Sequence, residues 1–442
     1  VELQKWKEKS KHRRNYAHFD SKVSLNRVWD YINNPEKVAK HGFYPFIHYT
    51  IIFHKFNKMK GRTQKPREIY YSAHKDRYIY QYYGFKLNQI YNERAKLDKI
   101  DDVAIAYRNN KPKKNNIHFA KRAIDFIKSQ SECYIVIGDF TKFFDSLDHA
   151  YLKHMICGLL DVERLPGDYY AVYKNITKYS KWDLKTLLEL NGLKNDIKAF
   201  NKLEYAISPK EFKELVKTYV IPNPDNFGIP QGSAISGVLS NIYMLAFDKS
   251  INNAVKKSKG LYMRYSDDFI VILPKEDWNE FRKQFQLINS IVNETPNLDL
   301  QPDKTQIFKF DNGKLTSFNE KILHNVKNGN NIMNYLGFSF DGQNVAIRDK
   351  TISKYYYRMY KKLKNVIKNN GITKKGNKVS FENLYRVYSV KGSKSQKGSK
   401  LAKGNFISYV KRAEKIFVDE RNIGIVKRRH MQKIRKQINK LK

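Results

Sequence analysis

Apolar positions along this chain fall into short unbroken runs separated by helical stripes. SECYIVIGDF (131–140) is an apolar run ending on Asp139 and reads as a buried strand. LYMRYSDDFIVILP (261–274) is apolar, then acidic, then apolar, the pattern of a hairpin with an acidic tip. NYLGFSF (334–340) predicts another short strand. GRTQKPREIYYSAHKDR (61–77) reads as a basic hairpin followed by a helix, and FGIPQGSAISGVLSNIYMLAF (227–247) as a Gly/Pro turn entering a helix that packs small residues. Residues 1–40 carry helical patterning with many basic and aromatic side chains, and residues 150–215 are largely helical by pattern.

Beyond residue 345 the pattern shifts to basic helices. Ile352, Tyr356, Met359, Leu363 and Val366 recur at spacings of three and four, which predicts one apolar helix face. Lys354, Arg358, Lys361 and Lys362 fall on the other side. KGSKSQKGSKLAKG (391–404) is of low complexity and predicts a mobile basic loop. IVKRRHMQKIRKQINKLK (425–442) predicts a final basic helix. Three segments result: a basic N-terminal extension (1–60), a central unit (61–345) and a basic helical C-terminal unit (346–442).

Composition adds a partner. Lys+Arg number 84 against 43 Asp+Glu, a net charge of +41 that exceeds what solubility needs and implies a polyanion, nucleic acid above all. Ribosome-associated and membrane-surface proteins share such basicity, so charge alone does not decide. With 41% hydrophobic residues the chain can bury a sizeable core. Only Cys133 and Cys157 are present, so a disulfide framework and the usual zinc spacings are excluded and a reducing cytoplasm is expected. No apolar run approaches the ~18 residues of a membrane span. The N-terminal VELQKWKEKSKHRRN has neither an apolar signal region nor an initiating Met, so the natural chain is expected to start upstream.

The candidate chemistry lies in RYSDDF (264–269), which puts Asp267 beside Asp268 between two apolar runs. Two such charges about 4 Å apart repel by about 1 kcal/mol even in water, and by more at lower dielectric. A divalent cation would relieve this, and Mg²⁺ takes one or two carboxylates together with water and substrate phosphates. Asp139 ends another strand. If that strand lies beside the hairpin, three carboxylates face one cleft, as two ions about 4 Å apart require for in-line phosphoryl transfer. Asp is common in turns, however, and the pair alone carries little.

Its company carries more. GDFTKFFDSLDH (138–149), GIPQGSAISGVLSNIYM (228–244), RYSDDF, LQPDKTQIF (300–308) and YLGFSF (335–340) occur in this order. They resemble the successive sequence blocks of reverse transcriptases, particularly bacterial ones related to group II intron and retron enzymes, over residues 61–345. The resemblance implies an α+β right-hand polymerase fold: fingers, a palm with a small antiparallel sheet, and a helical thumb formed by 346–442. It implies that Asp139, Asp267 and Asp268, with the Phe140 carbonyl, hold two Mg²⁺ ions, for which Mn²⁺ can substitute. Phe144 matches the steric gate that clashes with a 2′-hydroxyl, and Gln231 and Gly232 match the loop lining the nucleotide pocket. Lys65 and Arg67 resemble the clamp on the incoming triphosphate, with Arg77 assisting. Lys304 matches a lysine near the leaving pyrophosphate, a general acid. Asp145, in the first block, reads as a structural acid. Ser236-Gly237 departs from the Ser-Pro of intron-type enzymes and puts loop stiffness in question. Ser266 replaces the Ala of many relatives, with little consequence expected.

In the thumb, Arg358, Lys361 and Lys362 are expected on the phosphates of an A-like duplex. Tyr355, Tyr356, Tyr357 and Tyr360 are candidates for stacking on unpaired bases, although the spacing of Tyr356 makes it core. The implied activity is RNA-templated DNA synthesis, with an RNA template, dNTPs and a DNA product as partners and no membrane. HGFYPFIHYT (41–50) and AYRNNKPKKNNIHFA (106–120) further resemble free-standing bacterial enzymes of the unknown-group, abortive-infection and defence-associated kind, whose members copy a structured noncoding RNA and act against phage. No segment resembles an RNase H, an integrase or a Cys/His endonuclease. A retron-type enzyme, a template-independent polymerase and a maturase-like RNA-binding protein with a vestigial site are the alternatives. Sugar selectivity at Phe144 separates the second, and the intact carboxylate set opposes the third. Template, primer and oligomeric state are left open.

Overall fold

The computed structural model describes residues 2–12, 14–57, 61–111, 114–275, 277–323, 326–372, 387–390, 404–428 and 430–439. All but the last residue of the predicted 391–404 basic loop lies outside the described residues. In chain order the strands are β1 (Phe46–Asn57), β2 (Gly61–Tyr71), β3 (Glu132–Asp139), β4 (Ser180–Asp183), β5 (Ile221–Pro222), β6 (Leu261–Tyr265), β7 (Asp268–Pro274), β8 (Gln306–Asp311), β9 (Lys314–Ser317), β10 (Met333–Tyr335), β11 (Phe338–Phe340) and β12 (Val345–Ile347). They form three sheets, ordered β2-β1-β4-β5, β6-β7-β3-β8-β9 and β10-β11-β12.

The five-stranded sheet is the platform for the site. All its neighbours pair antiparallel, with β3 in the middle between β7 and β8. An antiparallel sheet usually has one wet face and alternating polarity; this one is covered on both, which is why β3 and β7 read as unbroken apolar runs. Tyr134, Val136, Phe269, Val271 and Leu273 face the helix Trp278–Glu294, where Tyr134 stacks on Phe281 with ring centroids 4.2 Å apart. The alternate residues Ile135, Ile137, Ile270 and Ile272 face the helix Asn116–Lys128 through Ile117, Ile124 and Ile127. By the same alternation Asp139 and Asp268 emerge at the end of this second face.

The four-stranded sheet β2-β1-β4-β5 corrects the first predicted boundary. Residues 1–60 are not an appendage: β1 pairs with β2 from Ile47↔Tyr71 onward, so a cut at 60 falls inside the hairpin. Leu25, Val28 and Ile32, at helical spacing on Leu25–Ile32, join the main core with Tyr78 and Tyr82 of the long helix His74–Leu97. The basic residues that suggested an extension occupy the solvent side of this layer. The second boundary, at 345, likewise falls on the first residue of β12, whose Val345 and Ile347 share a core with β3 and β7.

NYLGFSF forms two strands, not one, because Leu336 and Gly337 turn the chain with positive φ. In the helix Asp349–Lys368 the predicted apolar face is buried at Tyr356, Met359, Leu363 and Val366, and Tyr355 is buried beside it. Arg358, Lys361 and Lys362 are exposed. Among the described residues no helix is long and apolar enough to cross a membrane.

Phe281→Ala removes the ring that stacks on β3, and its cost is expected at about 3–5 kcal/mol, read as a lower denaturation midpoint with the slope unchanged.

Candidate active site

Strand register brings the acidic residues together. In the β3–β7 ladder Asp139 lies directly opposite Asp268, and in the β6–β7 hairpin Tyr265 lies opposite Asp268, leaving Ser266 and Asp267 as a two-residue turn. Ser266 takes φ +64°, a left-handed conformation that a two-residue hairpin turn demands and that glycine would adopt without strain. The N–H of Phe140 donates to the Asp267 carbonyl at 3.3 Å, tying the end of β3 to the turn. The Phe140 ring is buried against Phe143, Phe247 and Phe269, with centroids 5.4–5.8 Å apart.

A buried ion pair holds the turn in place. Arg264, fully buried on β6, donates through Nε to Asp248 Oδ1 at 2.8 Å and through Nη2 to Asp248 Oδ2 at 2.6 Å. Its Nη1 donates to the Ser266 carbonyl at 2.8 Å, and Nη2 also reaches Asn241 Oδ1 at 3.3 Å. Asp248 and Asn241 come from the consecutive helices Leu245–Lys257 and Ser236–Tyr243, so the guanidinium joins the helical layer to the acidic turn. Asp248 also accepts from the Tyr262 hydroxyl at 2.8 Å, which satisfies the buried carboxylate. Sequence reasoning passed over Arg264, although a lone charge inside the apolar run LYMRY already called for a buried partner.

Crowding shows in the protonation of the carboxylates. Burial pushes the Asp268 carboxyl up to about 7, with the charges of Asp267 and Asp139 adding and those of Lys304 and Arg348 opposing. Its oxygens open to the cleft, but protein encloses the other sides and withholds the water that would stabilise the charge. Asp267 is raised too, by burial first and by the charge of Asp139. Lys304, from the turn Pro302–Lys304, forms an ion pair with Asp139 Oδ2. Among the described residues no three His, Cys, Asp or Glu side chains are gathered to hold a metal ion as they stand, and one oxygen of Asp139 is engaged by the lysine instead. The donor set nevertheless suits a hard cation: three carboxylates at one strand end, and an Asp139 Oδ1 that is buried without a hydrogen-bond partner.

A cavity of about 510 Å³ is lined by Ile69, Phe144, Gln231 and Gly232, among others. Phe144 is set by its carbonyl, which accepts from Ile229 N at 2.9 Å, and by its edge-on contact with Phe143. Gln231 donates to Asp145 Oδ1 at 3.3 Å, while its carbonyl accepts from Tyr70 N at 3.0 Å. Asp145 thus orients a pocket residue from beneath. Gly232 has φ +112°, and a Cβ there would fall 2.5 Å from the Tyr70 carbonyl, so only glycine fits this approach of loop to strand. Lys65 and Arg67 alternate with Ile69 along β2 and are exposed on the side of the cavity; Arg67 lies 5.2 Å from the Phe53 ring.

Arg77 belongs elsewhere. It is buried on the helix His74–Leu97, packed 4.1 Å from the Tyr78 ring and close to Tyr16 and His74, and it does not reach this cavity. The expected part in the triphosphate clamp is corrected accordingly: helical phase turns this side chain toward the N-terminal segment. The tyrosine group divides as well. Tyr355 and Tyr356 close on His430, with the Tyr356 hydroxyl 3.1 Å from Nδ1, whereas Tyr357 and Tyr360 are exposed at 63% and 37%.

Residues 193–340 match the family model described as reverse transcriptase (RNA-dependent DNA polymerase). The matched segment includes Gln231, Gly232, Asp267, Asp268 and Lys304, while Asp139 and Phe144 precede it. No curated protein matches the chain. Among solved structures, apo telomerase from Candida tropicalis truncated from its C-terminal domain matches at 14% identity over 74% of this chain and 61% of that one, with a TM-score of 0.43. Apo telomerase from Candida tropicalis matches at 14% identity over 81% of this chain and 59% of its own, with a TM-score of 0.40. Telomerase from Candida albicans in complex with a TWJ fragment of telomeric RNA matches at 13% identity over 99% and 71%, with a TM-score of 0.38. The chain therefore spans about three fifths of the first two.

Two outcomes follow for stability. A carboxyl raised in the folded state binds more protons than in the unfolded chain between about pH 4 and pH 7, so without metal the folded state loses stability as pH rises through that window and levels off above it. Asp268→Asn flattens this slope in a pH series of thermal melts, and added Mg²⁺ raises the wild-type melting temperature at pH 8 more than that of the variant. Asp248→Ala strands Arg264 as an unpaired buried charge and costs about 3–5 kcal/mol by chemical denaturation.

Proposed function

We propose that this protein extends a nucleic-acid primer by RNA-templated addition of deoxynucleotides at Asp139, Asp267 and Asp268. The observation that carries this reading is the direct cross-strand pairing of Asp139 with Asp268, with Asp267 in the adjoining turn. Those carboxylates and the Phe140 carbonyl would hold two Mg²⁺ ions, or Mn²⁺ in their place. Bound there, the ions lower the pKa of the attacking 3′-hydroxyl and offset charge on the leaving pyrophosphate.

The chain's own residues do the positioning. Arg264 keeps the acidic turn against the end of β3, so the carboxylates stay close despite their repulsion. Lys65 and Arg67 present cations to a triphosphate lying along β2, where a guanidinium forms paired hydrogen bonds with phosphate oxygens. Phe144, braced from behind by Phe143, fills the space that a 2′-hydroxyl would need. Gly232 lets the backbone approach the nucleotide, and Asp145 holds Gln231 toward it. Lys304, at the Asp139 carboxylate, is placed to donate to a departing phosphate oxygen. On the thumb side, Arg358, Lys361 and Lys362 with Tyr357 and Tyr360 offer charge and stacking surface to a primer–template duplex.

The template in this reading is a structured noncoding RNA that accompanies the protein, copied in defence against phage within a bacterial cytoplasm. Support for it comes from the two stretches at 41–50 and 106–120 and from the +41 charge, which suits a standing RNA partner.

Protein purified with its accompanying RNA, given Mg²⁺ and labelled dNTPs or rNTPs, is expected to yield DNA complementary to one co-purified RNA. Asp267→Asn is expected to yield none, a loss of at least about 10³-fold on the scale of a removed transition-state contact. Absence of product from wild type, even with a supplied primer–template, would reject the polymerase in favour of a binding role.

A further inference from the structure

Tyr107 takes no part in the chemistry proposed above, and its setting is unusual. It has φ +59°, a conformation that costs a bulky residue on the order of 1–3 kcal/mol. It is half exposed, yet both its polar ends are held: its carbonyl accepts from Asn88 Nδ2 at 2.7 Å, and its hydroxyl lies 3.1 Å from Ser266 Oγ. Its ring lies edge-on to Phe144, centroids 6.4 Å apart, and both line the cavity beside Gln231. The ring also rests on Gly237, where a Cβ would fall 2.8 Å from Cγ.

These contacts explain two departures from the family pattern. Gly237 stands where intron-type enzymes have proline because any Cβ, proline's included, would collide with the Tyr107 ring. Ser266 stands where many relatives have alanine, and its hydroxyl gives Tyr107 a partner. Ser266 is followed directly by Asp267 in the two-residue turn. A hydrogen bond thus ties the cavity wall to the turn that carries a residue of the acidic cluster.

We propose that Tyr107 is a specificity-determining residue: its ring forms, with Phe144, the wall against the sugar of the incoming nucleotide, and its hydroxyl ties that wall to Ser266 in the turn that carries Asp267. The inference rests on the polymerase reading above. Strain at Tyr107 persists because ring and hydroxyl are both engaged, and a nucleotide that displaces the ring also disturbs the acidic turn.

Single-nucleotide incorporation on a primed RNA template, measured as kcat and KM for matched dNTP and rNTP, tests this. Tyr107→Ala, and Gly237→Ala which displaces the ring, are each expected to lower the dNTP preference about tenfold or more. Tyr107→Phe keeps the ring and the preference but lowers kcat for dNTP about fivefold, the worth of one hydrogen bond. Ser266→Ala gives a similar loss, and the double variant loses no more than either. An unchanged dNTP preference in folded Tyr107→Ala, or losses that multiply in the double variant, would overturn the proposal. If Tyr107→Ala does not fold, the Tyr107→Phe and Ser266→Ala cycle still decides. Wild type that incorporates nothing overturns the polymerase reading itself, a different result from wild type that incorporates without these effects.

Discussion

Carboxylates repel one another, and this fold sets three of them at the end of one sheet. The arrangement depends on Arg264, which is fully buried, paired through two nitrogens with Asp248 and bonded through a third to the Ser266 carbonyl. Without it, mutual repulsion and the left-handed Ser266 would both favour an open turn. With it, the turn is bolted to a helical layer that the hydrophobic core already fixes. Burial first, and the neighbouring charges of Asp267 and Asp139 second, raise the Asp268 carboxyl, and a divalent cation would offset both.

The rest of the molecule is arranged around that end of the sheet. Helices cover both faces of the β6-β7-β3-β8-β9 platform, so its strands cannot shift register without moving a core. The β1–β2 hairpin meets the helix Asp349–Lys368: Arg67 and Lys354 lie 5.2 and 5.9 Å from the same Phe53 ring.

Much of this was legible from residue order. Two unbroken apolar runs, each meeting acid, place the centre of the platform, and one face of the Asp349–Lys368 helix can be read from spacing alone. What escaped depended on partners far away in the chain. Arg264 looks like a stray charge until Asp248 and Asn241 are folded against it. Arg77 looks like a clamp residue until helical phase turns it toward Tyr16. Tyr107 sits in a loop without periodicity, and its meaning rests on Gly237 and Ser266, 130 and 159 positions later. The N-terminal boundary failed for a related reason: surface lysines set the composition of residues 1–60, while the few apolar residues that bury them in the core set their place.

The most direct test of the central claim is anomalous diffraction from crystals of the protein with a primed RNA template, an unreactive dNTP analogue and Mn²⁺. Manganese peaks bounded by Asp139, Asp267 and Asp268 are expected, with the Lys304 ammonium moved off Asp139. Ordered template and analogue with no manganese at these three residues, and Lys304 still paired with Asp139, would contradict it.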